Sequence, residues 1–166
     1  MIKLETVPET EEAWFEIYGD PRSKGDNAST DWIKDNLDWF ALPFNLFLSW
    51  NHEQEIEWGY MHRRIGPVVV DALKEMLDNQ GIVYIRENGH DKWGGCFNYR
   101  PQRGDSTKMS THCFGAAIDI NPHLGGFRQV SKQPKYIVEA FVKRDFTYGG
   151  GWFVPDGMHF QAGLGL

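Results

Sequence analysis

The stretch "AAIDI" (Ala116–Ile120) constrains the fold more than any other part of the chain. In an extended segment side chains alternate, so Ile118 and Ile120 point one way while Ala117 and Asp119 point the other. Both isoleucines call for a core. The segment therefore reads as a short buried strand, "GAAIDIN" (115–121), with a carboxylate on one face and a small neighbour beside it. A buried aspartate is costly without a cationic partner or a metal. The fold must bring one to it.

Two histidines are candidates for that partner. His112 lies upstream across Gly115, a residue suited to an unusual backbone turn near the site. His159 sits in "GMHFQA" (157–162), which alternates like a strand with Met158 and Phe160 on one side and His159 on the other. Asp156, three residues before His159, falls at the edge of the same site and is a candidate general base. Two imidazoles and one carboxylate, with a fourth position left to water, form the donor inventory of a catalytic zinc site. A satisfied buried histidine beside a capped aspartate fits the same residues, and spacing alone does not separate the two readings. The other histidines (His52, His62, His90 and His123) lack this context; His62, near a helix start, is expected at the surface. Cys113 adjoins His112, and neighbours in an extended segment point apart, which sends it to the wall or the core.

The remaining chain frames this site. A helix is expected over 8–17, a loop over 18–30, and an amphipathic helix over 60–81, where Ile65, Val68, Val69, Ala72, Leu73, Met76 and Leu77 keep a 3.6 period and Gly81 supplies a stop. "IVYIRE" (82–87) is β-branched and aromatic and predicts a strand. "KYIVEAFVKRDF" (135–146) predicts a helix behind Pro134. "DWFALPFNLFLSW" (38–50) is too short for a bilayer span and is expected as core or buried loop. The mixture predicts an α+β fold, a small antiparallel sheet carrying the site with helices packed against it. With 166 residues, one domain is expected over 1–166, with an extension of unassigned role at 1–60 and the site-bearing core at 80–162.

A formal charge of −6 gives no electrostatic reason to bind nucleic acid. The N-terminal residues are polar, so no signal peptide is expected and synthesis is placed in the cytoplasm. Cys96 and Cys113 are expected as reduced, buried thiols.

Ser110-x-His112-x-x-Gly115-x-Ala117-x-Asp119, followed by Asp156-x-Met158-His159-Phe160, resembles the zinc D-alanyl-D-alanine carboxypeptidase family. That family also holds the L-alanyl-D-glutamate endopeptidases of phage lysins and the carboxypeptidases and dipeptidases of vancomycin resistance. The resemblance covers roughly residues 80–162. It implies Zn2+ held by His112, Asp119 and His159, and Asp156 as catalytic base. It also implies an upstream arginine that meets substrate and the developing oxyanion. Arg100, in its Tyr-Arg-Pro setting, fits that role better than Arg103. Ser110 is assigned either to substrate or to ordering the turn, and Trp152 either to the cleft wall or to the core. Gln161 stands where the family often has an acid. The implied activity is hydrolysis of an amide bond in peptidoglycan stem peptides, with an L-Ala–D-Glu endopeptidase ahead of a D-Ala-D-Ala carboxypeptidase; a non-catalytic phage structural or wall-binding protein is the rival. The expected protein is a monomer without a membrane span, reaching the wall after release or as a phage component.

Overall fold

The computed structural model describes residues 1–164. In chain order the elements are α1 (Glu11–Tyr18), α2 (Thr30–Asn36), β1 (Leu37–Leu48), β2 (Asn51–His62), α3 (Gly66–Gln80), α4 (Ile82–Glu87), β3 (Lys92–Gly95), β4 (Pro101–Gln102), β5 (Asp105–Met109), β6 (Ala117–Ile120), α5 (Lys135–Val142), β7 (Thr147–Tyr148) and β8 (His159–Gln161). Six strands form one sheet in the order β2-β1-β3-β6-β8-β7, and β4 and β5 form a separate hairpin. Only the β1–β3 pair is parallel. The α+β class with a mainly antiparallel sheet follows the expectation.

Helix starts and stops obey local chemistry. The Thr10 side chain caps α1 by accepting from Ala13 N, with Glu11 and Glu12 in the positive first turn. Pro67 sits at the start of α3, and Gly81 ends it with φ 75°. The apolar stripe of α3 (Val68, Val69, Ala72, Leu73, Met76) packs with Ile137, Ala140 and Phe141 of α5 over the strand residues Ile118, Ile120 and Phe160. Phe160 stacks between Phe141 and Tyr148, with ring centroids 4.6 and 4.7 Å away. Burying a side chain of this size contributes roughly 1.5–3 kcal/mol. That packing holds β8 in register with β6. Arg144, fully buried, bridges α5 to α3 through Asp71 at 2.6 Å and Glu75 at 2.9 Å.

Three expectations are corrected. "IVYIRE" is the short helix α4, not a strand. Only Ile85 is buried there, and Gly81 O accepts from Ile85 N, so the residues turn over Gly81 and present one apolar side chain to the core. Residues 38–50 are neither buried loop nor simple core. They belong mostly to β1, whose inner side chains Phe44, Leu46 and Leu48 are buried, while Trp39 and Trp50 are exposed. Pro43, which cannot donate to a ladder, falls within the register shift between Ala41 and Leu46. The turn-rich run 18–30 gives way to α2 at Thr30, capped by the Ser29 hydroxyl.

His62 is the third correction: it is 2% exposed rather than at the surface. Nε2–H donates to Tyr18 O (3.3 Å) and Nδ1 accepts from Arg64 N (3.1 Å), so both nitrogens are satisfied in the neutral form. Burial pushes its pKa from 6.5 down to about 4. The unfolded chain therefore binds the proton more readily between these values. Stability attributable to neutral His62 is complete above pH 6.5 and is lost as pH falls toward 4, by about 3 kcal/mol in all. Chemical denaturation across this range is expected to show that loss in wild type and a flatter profile in His62→Gln; parallel profiles would contradict the assignment.

Candidate active site

The site is assembled where β6 and β8 pair, with Asp119 opposite His159 in register. Ser110 opens the approach. Its hydroxyl accepts from His112 N and caps a 3-10 turn, Thr111–Phe114, that carries His112. Gly115 closes the turn in the left-handed region (φ 59°), where an added Cβ would lie 2.7 Å from Leu37 and 3.1 Å from His62 N. Gly94 on β3 clears the other side, since a Cβ there would meet Asp119 Cβ at 2.7 Å.

His112, Asp119 and His159 come together, all buried, with one ligand atom from each within 4.8 Å of the others. Hydrogen bonds on the outer nitrogens fix both imidazoles. His112 Nδ1–H donates to Cys96 O at 2.5 Å. His159 Nε2–H donates to Gln161 Oε1 at 3.0 Å, and the Gln161 amide is itself oriented by its bond to Gly163 O at 2.8 Å. The inner nitrogens then face Asp119 Oδ1, at 3.3 Å for His112 Nε2 and 3.0 Å for His159 Nδ1. His112 Nε2 is buried without a hydrogen-bond partner. Two imidazole nitrogens and a carboxylate oxygen aimed at one another could hold a metal ion among them. Burial pushes Asp119 up, yet the two imidazoles hold it well below the usual carboxylate range. Burial opposes charge on His159, yet Asp119 and Gln161 raise it above its ordinary value. The donor set of two imidazoles and one carboxylate suits a zinc-type divalent ion and leaves further coordination to face the cleft.

Asp156 lies beside this group. Its Oδ1 is buried without a partner. Burial, then the charge of Asp119, raises its pKa above the carboxylate norm. The first glycine of "GGGW" serves this position: Gly149 O accepts from Asp156 N at 2.9 Å, and a Cβ on Gly149 would lie 2.7 Å from Asp156 O. The Asp156 carbonyl in turn accepts from His159 N at 3.1 Å.

A cleft of about 480 Å3 opens over these residues. Arg100 and Arg103, both on its wall, come from the segment around β4 and β5, and Trp152, 40% exposed, flanks His159 with ring centroids 5.5 Å apart. Arg100 is half-buried, and its main chain is held by Cys113: Sγ donates to Arg100 O (2.9 Å) and accepts from Arg100 N (3.2 Å). Cys113 and Cys96 are separate buried thiols. Ser110 also lines the cleft, but its hydroxyl is engaged in the turn. His52 and His123 are exposed, and His90 pairs with the Tyr136 hydroxyl at 2.7 Å; none joins the group. Sequence reasoning missed Thr111, whose Oγ1 lies 3.4 Å from His159 Nε2, and the cleft residues Phe127 and Arg128. Nothing in their local pattern marks them; the fold alone brings them in.

Residues 103–162 match the model of a family described as D-alanyl-D-alanine carboxypeptidase. The match spans His112, Asp119, Asp156 and His159. No curated protein and no solved structure gives a significant match to the chain. Among the described residues no helix is long and apolar enough to cross a membrane.

Proposed function

From the match of residues 103–162 to the model of the D-alanyl-D-alanine carboxypeptidase family, we propose that this chain is a zinc peptidase that hydrolyses an amide bond in peptidoglycan stem peptides. The observation that carries the reading is the convergence of His112 Nε2, His159 Nδ1 and Asp119 Oδ1 beside the unpartnered Asp156 carboxylate at one cleft. His112, Asp119 and His159 would hold the zinc. Zinc in such a site supplies Lewis acidity and makes water acidic enough to attack near neutral pH.

The chain's own residues do the rest. Asp156 Oδ1 takes the proton of the attacking water and delivers it to the leaving amine; its raised affinity for protons suits that exchange. Arg100 faces the oxyanion with a permanent charge. Trp152 forms a wall that keeps the peptide against His159. Cys96 O and Gln161 hold the two imidazoles in the orientation their role needs, as hydrogen bonds behind metal ligands do. Residues 1–60 belong to the same unit in this reading, supported by β1 and β2 joining the sheet that carries the site.

We place an L-Ala–D-Glu endopeptidase ahead of a carboxypeptidase. The rim residues Trp152, Val154 and Leu164 remain 40%, 42% and 46% exposed, which favours a peptide that continues past the cleft. The protein would act on the wall after release from the cytoplasm or as a phage component. Digestion of purified peptidoglycan followed by mass spectrometry is expected to reveal new L-Ala and D-Glu ends. Loss of terminal D-Ala alone would make the enzyme a carboxypeptidase, and intact wall from several chemotypes would sink the hydrolase reading.

A further inference from the structure

The chain has eight arginines. Arg22, Arg63, Arg64, Arg86 and Arg144 each lie within 4.0 Å of a carboxylate. Among the described residues the three that do not are Arg100, Arg103 and Arg128, and all three line the same cleft. In a protein of charge −6, close pairing of arginine is easy to arrange, and its absence at this one place leaves three guanidiniums able to meet an anionic ligand.

Of the three, Arg100 is the one used in the chemistry described above, and Arg128 is the one whose backbone is built to hold it in place. It is exposed on the cleft's far lip, and its backbone is left-handed (φ 66°), a conformation uncommon outside glycine. That conformation is pinned: Arg128 N donates to Pro155 O at 2.7 Å, and Phe127 and Gln129 both bridge to Asp156. The guanidinium lies 5.3 Å over the Phe127 ring. Phe127 in turn reaches toward Gly104 of the β4–β5 hairpin, where an added Cβ would sit 3.6 Å from its ring. Arg103 and Arg128 thus belong to opposite lips that meet at Gly104 and Phe127, and the loop bearing Arg128 is tied to the segment bearing Asp156.

We infer that Arg128 is a specificity-determining residue that binds a substrate carboxylate outside the scissile amide, so that the cleft selects peptides with a free carboxylate at that distance. The inference rests on the stem-peptide reading. Such peptides supply the group: a glutamate linked through its γ-carboxyl leaves its α-carboxylate free, and the C-terminus is another. A guanidinium engages either with two parallel hydrogen bonds.

The test uses two pairs of synthetic peptides built on L-Ala-γ-D-Glu-L-Lys-D-Ala, one pair differing in carboxylate against carboxamide at the α-position of D-Glu, the other at the C-terminus. Wild type is expected to prefer the acid in at least one pair by roughly tenfold to a hundredfold, the scale of a charge-assisted hydrogen bond, and chiefly through KM. Arg128→Asn, which tolerates the left-handed backbone, should lose that preference, and Arg128→Lys should recover part of it. Affinities measured by calorimetry in the Asp156→Asn background, with and without Arg128→Asn, read the same preference without turnover. If wild type cleaves none of the peptides, the stem-peptide hydrolase reading falls, while those affinities still decide the role of Arg128. A preference that survives Arg128→Asn, moves only with Arg103→Gln, or is absent from wild type overturns the inference, as does a lack of measurable binding.

Discussion

Asp156→Asn is expected to lower turnover of a stem peptide by about 10²- to 10⁴-fold, the usual contribution of general acid–base catalysis, while zinc affinity stays at the wild-type level. The two readouts separate because Asp156 lies outside the group of three converging ligand atoms. Its unpartnered Oδ1 is buried beside that group, where a proton acceptor is useful and a structural carboxylate would be costly. Asparagine preserves shape and the backbone contacts to Gly149 and His159, so unfolding should change little. Single-turnover kinetics together with calorimetric zinc titration would check both halves. Full activity in the variant would remove Asp156 from the chemistry, and loss of zinc would make it a ligand instead.

His159→Ala has the opposite signature: zinc binding and turnover disappear together. The substitution removes Nδ1, which lies 3.0 Å from Asp119 Oδ1, and leaves a buried carboxylate facing His112 alone. Stripping one partner from a buried charged pair costs about 3–5 kcal/mol, so the thermal midpoint should fall as well. Asp119→Asn is the control. It retains side-chain volume and removes the charge at the centre of the group, and it too should lose the metal. Retention of one tightly bound zinc by either variant, measured by elemental analysis after dialysis, would contradict the ligand assignment.

The site was more legible than the scaffold, for a physical reason. Asp119 and His159 announce themselves locally: each is a polar residue between apolar neighbours on a short strand, and the pairing of Asp119 with His159 completes the inference. The helices α3 and α5 are legible because each buries a continuous apolar stripe bounded by a proline or a glycine. The hairpin β1–β2 is not, because Asn51–Glu55 is exposed on both faces and Pro43 interrupts β1, which erases the two-residue period. In "IVYIRE" the β-branched residues suggest a strand, but Gly81 and the single buried contact of Ile85 settle a helix. His62 looked like a surface residue because it lies near a helix start; its burial comes from Tyr18 and Trp32, remote in sequence. Gln161 shows the limit on the site itself. It stands where the family that the motif resembles often has an acid, yet its amide oxygen still accepts from His159, because Gly163 orients the amide.

The most direct test of the account is a zinc titration of chelator-stripped protein with stem-peptide cleavage as the readout. The account predicts no turnover without metal, a linear rise, and a break at one zinc per chain, with His112→Ala, Asp119→Asn and His159→Ala all flat. Undiminished cleavage by the metal-free protein would contradict it, and so would a folded protein that binds zinc at these three residues and cleaves nothing.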